Sequence, residues 1–131
     1  MVSAGSILGL VEQIVEGFRP RQVILFGSYA YGTPDMDSDV DLLVVMPHIG
    51  PSHRKATEIR LSVSPQFPMD LLVRTPAQLR AGLAQSDWFV VEVLEKGIVL
   101  HDSADRAVGA KSRSRLRRRL APAALAQAKS A

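Results

Sequence analysis

Four aspartates occupy alternate positions in one short stretch: Asp35, Asp37, Asp39 and Asp41. The last two run directly into Leu42, Leu43, Val44 and Val45, an apolar run that predicts a buried strand. Carboxylates at the mouth of such a strand repel one another and resist losing water, so something must offset that cost. Side chains on a strand alternate faces, which puts Asp39 and Asp41 on one side and Val40 and Leu42 on the other. Same-face neighbours lie roughly 6.5–7 Å apart along a strand, close enough to lean toward one cation. An all-oxygen donor set favours Mg²⁺, with Mn²⁺ as an alternative, over zinc. Asp70, between Met69 and Leu71 in a later apolar run, joins the cluster if its strand lies beside the first. Three carboxylates on neighbouring strands would suit two metal ions and a phosphoryl-type transfer.

Gly27 and Ser28 supply the complementary half. They end the apolar run Gln22 to Phe26. A glycine there permits a tight turn and a close backbone approach to a ligand. Ser28 brings a hydroxyl and a backbone N–H, so this strand end suits phosphates while its neighbour suits the metal. A Gly-Ser pair alone is usually only a turn, and Asp35 and Asp37, beside Thr33 and Pro34, read as turn residues. The combination and its order distinguish this stretch.

The elements that must carry these residues follow from pattern. Ile7, Leu10, Val11, Ile14, Val15 and Phe18 recur at helical spacing, with Gly17 and Pro20 marking the end. Strands are expected at Gln22 to Phe26, Val40 to Met46, Phe67 to Val73 and Ile98 to Leu100. Tyr29 to Gly32 suggests a helical turn, and residues 52–62 a polar helix. Thr75 and Pro76 open a helix through Leu83, and Asp87 caps another from Trp88 to Lys96. In that last helix Trp88, Phe89, Val93 and Leu94 read as core. The order predicts an α/β (α+β) domain, a small sheet with flanking helices, over residues 1–103.

With 131 residues and 47% hydrophobic composition, the chain is sized for one globular domain. It has no cysteine, hence no disulfide framework or thiolate zinc site. No apolar run is long enough to span a bilayer, and Glu12 and Glu16 interrupt the N-terminal apolar stretch; a cytoplasmic address is the expectation. The net charge of +3 is uneven: residues 1–103 carry −4 and residues 104–131 carry +7. The mildly acidic body is not built to grip nucleic acid. The basic tail reads as disordered or partly helical, an arm for an acidic partner or RNA; packing through Leu116, Leu120 and Leu125 is the competing view.

Gly27-Ser28, ten residues, then Asp39-Val40-Asp41-Leu42 resembles the signature of the polymerase-β-like nucleotidyltransferase superfamily. The FGSYA opening and SDVDLLV ending resemble its minimal members, the MntA-type antitoxin partners of HEPN-domain toxins. The resemblance spans about residues 5–103. It implies the polymerase-β-like fold, Asp39, Asp41 and Asp70 as metal-binding catalytic residues, and Gly27 and Ser28 as contacts to the triphosphate of ATP. It also implies that AMP passes to a hydroxyl of a partner protein, a HEPN toxin. Tyr31 stands where many members carry a basic residue.

Two other readings belong to different classes: a non-catalytic module that neutralises its partner by occlusion, and a transferase acting on an aminoglycoside-type small molecule. His48, His53 and His101 lack ligand-like spacing and read as surface or loop residues. Arg74, at the end of the Asp70 strand, is a lesser candidate for a phosphate contact.

Overall fold

The computed structural model describes residues 1–121. Helix α1 spans Ala4–Phe18 and strand β1 spans Gln22–Phe26, followed by a one-turn helix α2, Ser28–Tyr31. Strand β2, Val40–Val45, leads through helix α3, Ser52–Ser62, to strand β3, Met69–Arg74. Helices α4, Pro76–Ala84, and α5, Trp88–Lys96, precede strand β4, Ile98–Asp102, and helix α6, Arg106–Arg119.

Local chemistry sets these limits. The Ser3 side chain accepts a hydrogen bond from the Ser6 amide and caps α1. That helix runs through Gly17 and ends where Arg19 turns left-handed, at φ 49°. Thr75 and Gln78 form a reciprocal capping box at the start of α4, and the Asp87 side chain caps α5.

The strands form one sheet in the order β3-β2-β1-β4. β1 is antiparallel to both β2 and β4, whereas β2 and β3 are parallel. A parallel pair needs a crossover, and α3 supplies it. The mixed sheet with helices on its faces is consistent with the expected polymerase-β-like fold.

Alternation along the strands feeds two cores. Val23, Leu25, Val40, Leu42, Val44, Leu71 and Leu100 pack with residues of α1, α3 and α6 on one face. Ile24, Phe26, Leu43 and Val45 pack with Leu79 of α4 and Val90 and Val93 of α5 on the other.

Two expectations change. The stretch after residue 103 is not simply an appendage: α6 packs against β4, Leu116 is fully buried, and Leu120 packs on the same core. One leucine inserted among aliphatic side chains contributes about 1.5–3 kcal/mol, and the helix keeps Lys111, Arg115 and Arg118 exposed. The third tail residue invoked above, Leu125, lies outside the described residues. In α5, Val93 is buried and Phe89 meets Phe26 edge-on at 5.5 Å, but Trp88 is 74% exposed and Leu94 is also exposed. Trp88 is the first residue of its helix, and no element of the described chain covers it.

Candidate active site

Register brings the acidic residues together at one end of the sheet. Phe26, the last residue of β1, lies opposite Asp41 of β2, and Asp41 lies opposite Asp70 of β3. Leu43 and Val45 belong to the core on the α4–α5 face, so period-two alternation puts Asp41 on that face as well. Leu72 gives the same assignment for Asp70. Asp39 sits one residue before β2, exposed, at the same end. Asp70, the second residue of the edge strand β3, is exposed too, unlike the buried position its apolar neighbours suggest.

Asp41 carries the electrostatic signature of the site. Its carboxyl is pushed up to about 6, first by burial, then by the charges of Asp70 and Asp39. Both neighbouring charges raise this one group, so Asp70 and Asp39 act on Asp41 through space. They do not form a ready-made cage: among the described residues no three carboxylate or imidazole groups converge into a metal-binding cluster. The donor set nonetheless fits a hard divalent cation, since such an ion would offset both the burial and the like charges that raise Asp41.

Gly27 is required here for a reason its sequence context does not disclose. Its φ is 73°, a left-handed value. A Cβ built on it would overlap the Asp41 carboxylate. The turn after β1 thus lies directly on the aspartate of β2, and only a glycine leaves room. The Gly27 carbonyl accepts hydrogen bonds from the amides of Ala30 and Tyr31 at 3.0 and 3.1 Å, and the Ser28 carbonyl accepts one from Gly32 at 3.1 Å. This binds Ser28 into a compact turn beside the acidic cluster.

The remaining candidates separate. Asp35 accepts bonds from the Asp37 amide at 2.9 Å and the Ser38 hydroxyl at 3.2 Å, so it is a turn residue, and Asp37 is exposed in the same turn. Arg74 ends β3, while Asp70 is its second residue; four steps along the strand separate them by about 13 Å, and the Arg74 guanidinium donates to the Val73 carbonyl. His48 bonds Ser52 at 3.2 Å, and His101 lies on β4 against the Pro20 carbonyl at 3.3 Å.

Two cations that sequence reading did not assign also reach this end. Lys96 Nζ lies 5.8 Å above the Tyr31 ring. Arg119 Nη2 donates to the Gly32 carbonyl at 2.6 Å. Their signal is topological rather than local: β4 starts at this end of the sheet, and α6 runs back toward it. The site itself is an open sheet end. A cleft of about 460 Å³ lies elsewhere, between α1, β4 and α6, and none of the aspartates lines it.

No curated protein matches the chain. A solved structure described as "Crystal structure of the toxin-antitoxin with AMP-PNP" is 21% identical, covering 99% of this chain and 100% of that one, with a TM-score of 0.44. The model of the nucleotidyltransferase domain family matches residues 7–101, which takes in Gly27, Ser28, Asp39, Asp41 and Asp70. The chain belongs to the nucleotidyltransferase domain family.

Proposed function

We propose that this nucleotidyltransferase moves AMP from ATP to a hydroxyl on a partner protein, at the sheet end where Asp41 meets Asp70 and Gly27. The observation that carries the reading is the raised Asp41 carboxyl, crowded by Asp70 and Asp39 and overlain by the Gly27 turn. Asp39, Asp41 and Asp70 would hold Mg²⁺, or Mn²⁺ in its place. When bound, the metal would offset charge on the phosphates and on the attacking and leaving oxygens.

The chain's own residues account for the rest. At neutral pH Asp41 is ionised, because its carboxyl titrates near 6. Gly27 and Ser28 present backbone and hydroxyl groups to the triphosphate. The acceptor hydroxyl gives its proton to the Asp70 carboxylate as its oxygen attacks the α-phosphorus. A new phosphorus–oxygen bond forms, the bond to the bridging oxygen breaks, and pyrophosphate leaves. Exposure of Asp70 on an edge strand supports an acceptor carried by a second macromolecule. The exposure of Asp39 and Asp70 likewise favours a macromolecular acceptor over an enclosed small molecule. The sequence resemblance to minimal nucleotidyltransferases supports a toxin of the HEPN class as the partner, with this chain as its antitoxin.

The test uses ATP labelled at the α-phosphate, Mg²⁺ and the protein encoded by the adjacent reading frame. Label should pass to that protein. Asp39→Asn with Asp41→Asn should cut transfer by about 10³-fold or more while the fold persists. Unchanged transfer by the double variant would exclude these residues as the metal ligands. Neutralisation of the partner by the inactive variant would instead support occlusion.

A further inference from the structure

The turn that would receive the triphosphate has an unusual charge environment. No lysine, arginine or histidine occurs from residue 22 to residue 47, and four aspartates do. A polyanion approaching Gly27 and Ser28 meets no positive side chain contributed by its own strand, turn or following loop.

The fold delivers positive charge from two remote elements. β4 is antiparallel to β1 and pairs Ile98 with Leu25, so the start of β4 lies at the Phe26 end. Lys96 ends α5 just before that start. Gly97 joins the two by close contact: a Cβ there would strike the Val93 carbonyl and Ile24, and come within 3.2 Å of the Leu25 carbonyl. This junction is tight, and it holds Lys96 against Tyr31, with the ammonium 5.8 Å above the ring. Glu92 is a loose partner of that ammonium, at 3.7 Å.

The second element is α6. After β4 has carried the chain away from the site, α6 returns along it. Arg113 bonds the Leu100 carbonyl at 3.0 Å, Leu116 is buried, and Arg119 arrives at the Gly32 carbonyl at 2.6 Å. One Arg119 nitrogen is used there; a guanidinium has five N–H donors, which leaves others for an anion. Among the described residues Arg119 has no carboxylate partner.

We infer that Lys96 and Arg119 supply the positive charge that binds the phosphate chain of the nucleotide at the Gly27–Gly32 turn. This rests on the transferase reading, since the ligand is its nucleotide. The two cations are brought to the turn by the C-terminal ends of α5 and α6, replacing charge that the turn lacks. Both side chains are positioning and binding groups for phosphate, and neither is assigned a proton-transfer role. Arg119 also ties the basic helix to the site, so at least one of its charges is placed at the turn.

The experiment is titration calorimetry of the full chain with ATP and Mg²⁺, at low and at physiological salt, beside thermal melting. Lys96→Gln with Arg119→Gln should weaken ATP binding about tenfold at low salt, and Arg119→Lys should weaken it less than Arg119→Gln does. The wild-type affinity should fall with salt more steeply than that of the double variant. Melting temperatures should stay together, because both side chains are exposed. Unchanged ATP affinity in the double variant, an unchanged salt slope, or a matching drop in melting temperature would overturn the inference. Failure of the wild-type chain to bind ATP would refute the transferase reading and this inference with it.

Discussion

Strand β1 has an aspartate opposite each of its ends, and the two are treated in opposite ways. At one end Gln22 lies opposite Asp102, and its side-chain amide donates to that carboxylate at 3.0 Å. The Ala104 amide donates to the same carboxylate at 2.9 Å. With that bond from Gln22 foremost, Asp102 is held below the usual carboxylate range. At the other end Phe26 lies opposite Asp41, which is raised to about 6 by burial and by two neighbouring carboxylates. The folded chain satisfies one carboxylate and leaves the other in need of a counter-charge. A carboxylate with its donors in place closes a turn. A carboxylate surrounded by like charge is an invitation to a cation, and its cost is met when one arrives.

Three measurements test this contrast. The largest effect is expected from Gly27→Ala, since a Cβ would overlap the Asp41 carboxylate and a left-handed φ disfavours alanine. A loss of about 2–3 kcal/mol in denaturant unfolding is the expected outcome. The same change combined with Asp41→Ala should recover part of that loss, because the overlap is gone while the backbone strain stays. No recovery would show that the turn and the aspartate are not in contact.

Next comes the pH dependence of Asp41. Its folded value is raised, so the native state binds the extra proton between about 4 and about 6. Without metal, this group therefore takes stability away as pH rises through that window. Asp41→Asn should be more stable than the wild type by about 1 kcal/mol at pH 8, discounted for partial exposure, and the gap should close near pH 4. Added Mg²⁺ should reverse the order at pH 8, raising the wild-type melting temperature and leaving the variant behind. A gap independent of pH would show that crowding does not govern this carboxyl.

The smallest effect belongs to Asp102. Asp102→Ala should cost about 0.5–1 kcal/mol, the worth of the bonds from Gln22 and Ala104. Its folded value is lowered, so its contribution is present above the ordinary carboxylate range and fades only on acidification through the folded value. The sign is opposite to that at Asp41, and Mg²⁺ should not change it. A Mg²⁺-dependent stability change at Asp102 would remove the distinction between the two ends.

Much of this site was legible because strands obey a period of two. Asp41 and the aliphatic residues around it could be assigned to faces from their positions alone, and Gly27 stood out as a glycine ending an apolar run. The reason for Gly27 was not legible, because it depends on β2 lying beside β1 in a register that sets Asp41 against Phe26. Asp70 could be proposed only on condition that β3 neighbours β2, which the parallel pairing now meets. Arg74 was offered as a phosphate contact although it follows Asp70 on the same strand, and the extended rise of that strand carries it about 13 Å away from the acidic end. Helical spacing in α5 correctly marked Val93, but it could not reveal that nothing described covers Trp88. The packing of α6 was masked by composition. Seven Lys/Arg residues in Arg106–Arg119 obscure the single leucine that docks the helix.

The way α6 crosses β4 also bears on self-assembly. A strand at the rim of a sheet exposes backbone groups to which another chain can add. At Gly109 the helix approaches the backbone itself: an added Cβ would come within 3.3 Å of the Leu100 carbonyl oxygen and 3.6 Å of the His101 Cα. Arg113 then occupies that Leu100 oxygen with its guanidinium. The acceptor that an incoming strand would seek on β4 is thus already engaged by a charged side chain of the same molecule. That engagement takes one backbone acceptor of the rim out of reach of an added strand, and the charge of the helix lies along the same border of the sheet.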